Sequence, residues 1–187
     1  MDAPEALERA RTSFERRLAA VGEAEWDRPT PCTDWSVRQV ARHVVACALL
    51  YRQLLDGARA EDVLGQLRAA DHLGHDPLGA TRTAWEALAG ALEAPGALEG
   101  IVHHPVGELP AAWLAVTAVE ELTVHGWDLA RGAGGDDAVD EDVAAWLLPQ
   151  LREIVPALPG VFGTPAGPVA AGAPASDELL HLTGRRR

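Results

Sequence analysis

Lysine is missing altogether. All sixteen basic residues are arginine, which excludes Schiff-base chemistry, because that needs a lysine amine. Cysteine is scarce: Cys32 and Cys47 cannot supply the disulfide framework of a small secreted domain. No run of eighteen apolar residues occurs, so no membrane-spanning helix is expected. Positive charge is in deficit, with 16 Arg against 28 Asp and Glu, a net charge of −12 and a pI near 4.9. Phosphate binding needs a basic field, so nucleic acid and anionic membrane are excluded as default partners. The basic run Arg185-Arg186-Arg187 reads as a frayed, solvated tail. The opening Met1-Asp2-Ala3-Pro4-Glu5 lacks the basic start and apolar stretch of a signal peptide. A cytoplasmic protein is the expectation.

What is present is enough for a core. The chain has 187 residues and is 48% apolar, which suits one domain over 1–187. Helical spacing of apolar residues predicts a first helix over 3–21, around Leu7, Phe14 and Leu18. Pro29 and Pro31 mark a loop. Ser36 then opens a second helix, running to about Asp56, with Ser36 and Gln39 spaced as a capping box. A short helix over 60–70 and a loop over 71–79 precede a third long helix, 78–92, around Trp85 and Leu88. Pro95 to Pro110 reads as irregular, with a short extended piece at Ile101-Val102. A fourth helix is expected from Pro110, near its first turn, to Arg131, with Gly132 as the stop. A fifth spans 141–158. From Pro159 the Gly, Pro and Ala content predicts an extended segment, 159–187, packed on the helices, with a last helical piece over 176–183. The fold class is all-α, a helical bundle.

Two helices carry residues suited to metal. Glu121 and His125 are four apart in the fourth helix and so lie about 40° apart around its axis. His43 sits within the second helix. Two imidazoles and a carboxylate can make an open metal site, although a Glu and a His at this spacing also occur as an ordinary ion pair, and a lone His on an apolar face also occurs as a hydrogen-bonded core residue. Glu120 is turned roughly 140° from His125 and is the poorer ligand. Asp128, one turn beyond His125, is placed to hold the imidazole by a hydrogen bond. Cys47 reads as a small buried thiol. His104, beside His103 and Pro105, is a candidate for the mouth of the bundle. His72 and His75 read as solvated. The acidic run from Asp136 to Asp142 lacks the ligand spacing of a calcium loop. Of the six Trp, Trp35 and Trp127 are closest in sequence to these residues and are expected near the pocket.

Three stretches carry a family resemblance. Thr30-Pro31-Cys32-Thr33-Asp34-Trp35-Ser36-Val37, continuing to His43-Val44-Val45, resembles the opening of the actinobacterial DinB-like, mycothiol-dependent maleylpyruvate isomerase N-terminal-domain proteins. Val124-His125-Gly126-Trp127-Asp128-Leu129-Ala130-Arg131 resembles a second block of that family. Gly160-Val161-Phe162-Gly163 through Gly184-Arg185 looks like the tail of its short metal-binding branch. The resemblance implies a DinB-like four-helix bundle and a divalent metal, usually zinc, held by His43, Glu121 and His125.

For activity, it implies thiol-dependent transfer or isomerisation of a small electrophile, with mycothiol as cosubstrate. The chain has no obvious room for a separate C-terminal domain like that of the two-domain isomerase, which argues against maleylpyruvate itself as substrate. A metal-stabilised bundle that binds a ligand or protein without turnover is the alternative. A metal-dependent hydrolase using Asp128 or His104 as base is a second one. A small-molecule partner and a monomer or homodimer are expected.

Overall fold

In this computed structural model, every residue is described except Thr33, Pro159, 166–168 and Arg187. Thr33 of the first family block, the Pro159 boundary and Arg187 of the basic run therefore lie outside the described residues. Seven α-helices form among the rest: α1 (Ala3–Ala19), α2 (Val37–Leu55), α3 (Ala60–Ala69), α4 (Pro77–Leu92), α5 (Ala112–Ala133), α6 (Glu141–Ala157) and α7 (Ala175–Leu182). Two short strands, β1 (Ile101–His104) and β2 (Gly107–Pro110), lie between α4 and α5. The chain is all-α in class, a DinB-like helical bundle with one small hairpin.

The packing follows from which faces are apolar. α1 packs on α5 and α4, and α2 packs on the same two helices, so α1, α5, α2 and α4 close a four-helix ring. Phe14, Leu54, Trp85, Leu88 and Leu122 are fully buried between them. α3 lies on α2, α6 on α5 and α1, and α7 on α6. α5 is the centre. From Leu114 to Ala130 every residue is buried except the half-buried Glu121. A helix apolar on all sides is one enclosed on all sides. Its hydroxyls are satisfied internally, with Thr117 donating to the Trp113 carbonyl at 3.0 Å and Thr123 to the Val119 carbonyl at 2.7 Å.

The capping signals act where the chemistry places them. Ser36 caps α2, its hydroxyl taking the Gln39 N–H while the Gln39 side chain takes the Ser36 N–H. Two expectations are corrected. Pro110 is in β2, paired with Ile101, and α5 starts after it. The stop of α5 is Gly134, not Gly132. Gly134 adopts φ +75, and the N–H groups of Gly134 and Gly135 close back onto the Arg131 and Ala130 carbonyls, which is a Schellman motif. Gly132 serves close packing instead: a Cβ there would stand 2.7 Å from Thr30 Cγ2, 2.8 Å from Val37 Cγ2 and 3.0 Å from the Pro29 carbonyl. Within the stretch read as irregular, the extended piece expected at Ile101-Val102 is one strand of an antiparallel hairpin over 101–110, His104 opposite Gly107. Among the described residues no helix is long and apolar enough to cross a membrane.

Candidate metal centre

α2 and α5 meet at one point. His43 Nε2 lies 3.1 Å from Glu121 Oε2, and His125 Nε2 lies 3.4 Å from the same oxygen. One donor atom from each of the three lies within 4.8 Å of the others. A tetrahedral ion with bonds of about 2.1 Å spaces its ligands about 3.4 Å apart. The three residues therefore fit a zinc-sized ion with little adjustment. The His43 and His125 rings meet edge to face, with centroids 4.9 Å apart. Trp35 walls the site, its ring 4.5 Å from His43 and 5.7 Å from His125.

The surrounding hydrogen bonds prepare these donors. His125 Nδ1 lies 2.9 Å from Asp128 Oδ2. Asp128 is fully buried and is held from the other side by Arg185. An Nδ1–H donated to Asp128 leaves the Nε2 lone pair facing Glu121. Tyr51 points its hydroxyl at Glu121 Oε1, 3.5 Å away. Burial disfavours the Glu121 carboxylate, but His43 by charge and hydrogen bond, then His125 and Cys47, outweigh it and bring its carboxyl down to about 2. Burial likewise opposes the charge on Asp128, and the hydrogen bonds from His125 and Arg185 overcome it and hold that carboxyl below its usual range. Glu120 behaves oppositely. Burial, then the adjacent Glu121 charge, pushes its carboxyl well above the usual range, and it is outside the His–Glu–His cluster.

Both thiols are pushed above their ordinary value. Burial, then the charges of Asp128 and Glu121, raises Cys32 to about 11, and burial raises Cys47 well above its ordinary value. Cys47 Sγ is 3.4 Å from His43 Nε2. Cys32 forms a second tight group with His125 and Asp128, which its place in a Pro-rich loop did not foretell.

Other expectations fall elsewhere. Trp127 is fully buried, with Arg131 stacked 5.6 Å over its ring. Two residues on from His125, it points about 160° away around the helix and so belongs to the core, not the pocket. His104 is one step out, its ring 6.0 Å from that of Tyr51; burial lowers its pKa, although the Glu121 charge acts the other way. His72 is bonded to the Leu67 carbonyl at 2.7 Å rather than merely solvated. Among the arginines, Arg42 binds the carbonyls of Arg68 and Ala70, Arg82 binds Glu15, and Arg131 binds Asp137. Arg185, read from the sequence as part of a solvated tail, is the arginine that reaches the site, with 12% of its side chain exposed. No local signal could have found it, because its partner Asp128 is 57 residues away.

Two uncharacterized proteins of Mycobacterium tuberculosis, MT0763 of strain CDC 1551 and Rv0738 of strain H37Rv, are each 27% identical over 193 residues, covering 99% of this chain and 98% of the relative. No solved structure matches the chain. The family model for the mycothiol maleylpyruvate isomerase N-terminal domain matches residues 7–130, the stretch that carries α2, most of α5 and all three converging side chains. The chain belongs to the mycothiol maleylpyruvate isomerase N-terminal-domain family.

Proposed function

We propose that this protein binds a divalent metal, zinc, through His43, Glu121 and His125, and uses it with a low-molecular-weight thiol such as mycothiol to transform a small electrophile by S-transfer or isomerisation. The observation that carries the reading is the convergence of two Nε2 atoms on one ionised carboxylate oxygen, at 3.1 and 3.4 Å. Three protein ligands are the pattern of a catalytic zinc site, which keeps a further position open. A divalent ion there favours the thiolate form of a bound thiol at neutral pH.

The chain's own residues set the conditions. Glu121 is charged before any ion arrives, so its deprotonation costs nothing at neutral pH. Asp128 orients His125. Trp35 excludes water along one side of both imidazoles. In the metal-free chain burial raises both Cys32 and Cys47 above their ordinary value, so neither is an activated thiolate in its own right. That favours a nucleophile supplied from outside, as the family's link to mycothiol also does. Hydrolysis with Asp128 as base is less well supported, because both of its oxygens are already engaged by His125 and Arg185.

The test is elemental analysis of the purified protein beside His125→Ala, followed by assays pairing mycothiol with small electrophiles. Zinc in the wild type at one ion per chain, its loss in the variant, and turnover that requires both metal and thiol are the expected results. Metal that stays bound in His125→Ala would remove the ligand assignment. Turnover that proceeds without thiol would move the reading to hydrolysis.

A further inference from the structure

The C-terminal end leads into the metal centre. α7 closes in a Schellman motif, with Gly184 N–H donating to the His181 carbonyl at 3.0 Å and Arg185 N–H to the Leu180 carbonyl at 2.7 Å. Gly184 adopts φ +83, and a Cβ on it would stand 2.5 Å from the backbone of Gly163. Only glycine satisfies both the turn and the crossing. The chain direction at Arg185 is thereby set. Its guanidinium grips Asp128 with two prongs, Nη2 to Oδ2 at 2.8 Å and Nε to Oδ1 at 3.3 Å, while Nη1 donates to the Thr183 carbonyl at 2.7 Å. A side-on fork of this kind fixes the plane of the carboxylate. The oxygen it fixes, Oδ2, is the one that meets His125 Nδ1.

We propose that Arg185 is a positioning residue for the metal centre: by holding Asp128, it sets the ring orientation and tautomer of His125. A site whose ligands come from α2 and α5 is thus completed by the last residues of the chain. The proposal rests on the reading of His43, Glu121 and His125 as ligands, and it deepens that reading by assigning the C-terminal segment control over metal affinity. Arg185 is two hydrogen-bonded contacts from the ligand His125 and so acts through Asp128 rather than on the ion or substrate.

The experiment compares full-length wild type with Arg185→Gln and Arg185→Lys, using Arg186→Gln, an exposed neighbour, as control. Two readouts go beyond stability: long-range proton–nitrogen correlation spectra of the metal-free protein, which report the His125 tautomer, and cobalt(II) affinity with its absorption spectrum. The wild type is expected to hold a single Nδ1–H tautomer. Arg185→Gln should show mixed tautomers, an altered cobalt spectrum and a cobalt affinity lower by about 10–100-fold, the usual effect of losing such an outer contact. Arg185→Lys keeps the charge but not the fork and should fall between them; it also serves if the Gln variant does not fold. Arg186→Gln should match wild type. If either Arg185 variant melts earlier but keeps the wild-type tautomer and cobalt affinity, the residue is merely structural and the proposal fails. A wild type that takes up no cobalt overturns the ligand reading instead.

Discussion

Asp128 is where the chemistry of the site is most exposed to a single atom. It is fully buried, charged, and bonded to a cation on one side and an imidazole on the other. Asp128→Asn keeps the shape but can present an N–H to Nδ1, which favours the wrong tautomer. We expect zinc affinity to fall about 10–100-fold, measured by chelator competition, with the fold retained. Glu121 and Asp128 also make stability pH-dependent. Their folded carboxyls sit below their ordinary values, Glu121 at about 2. The unfolded chain therefore binds protons first as pH falls, so the stabilisation they provide is complete above about pH 5 and disappears toward pH 2. Urea titrations of the metal-free protein should show this slope, and Glu121→Gln should flatten it.

At the scale of elements, what matters is how closely α5 lets its neighbours approach. Gly132 admits Thr30, Pro29 and Val37, and so brings the loop that carries Cys32 and Trp35 against the helix. Gly132→Ala should cost about 1–3 kcal/mol by overpacking. Gly90, in α4 with open space around its Cα, provides the contrast, because Ala there should stabilise by up to about 1 kcal/mol through helix propensity. Paired urea midpoints test both. The helices were largely legible from the chain because periodicity and caps are local: Ser36 and Gln39 announce α2, and the spacing of Glu121 and His125 puts both on one face of α5. The hairpin was not, since four-residue strands carry little pattern. Gly132 was mistaken for the helix stop because a run holding Gly132, Gly134 and Gly135 offers several candidates, and only the backbone dihedral distinguishes them.

For the whole molecule, the three converging side chains join two helices of the closed ring, with α5 packed against α1, α2 and α6. An ion that binds only the folded state adds stability by mass action, about 2.7 kcal/mol at one hundred times its dissociation constant. Zinc should therefore raise the melting temperature and EDTA lower it, and neither should act on His43→Ala. The same scale explains what the sequence concealed. His43, Glu121, His125 and Asp128 could be picked out from spacing and from the two family blocks on α2 and α5. Arg185 could not, because its role depends on α7 folding back along α6 and on one glycine crossing another. Trp127 was misplaced for the opposite reason: nearness in sequence to His125 is farness around the helix.

The three donors are not equally sheltered. The side chain of His43 is 30% exposed, against 13% for Glu121 and 10% for His125. The cluster is therefore most open beside α2, and anything entering from solvent meets His43 before the pair behind it.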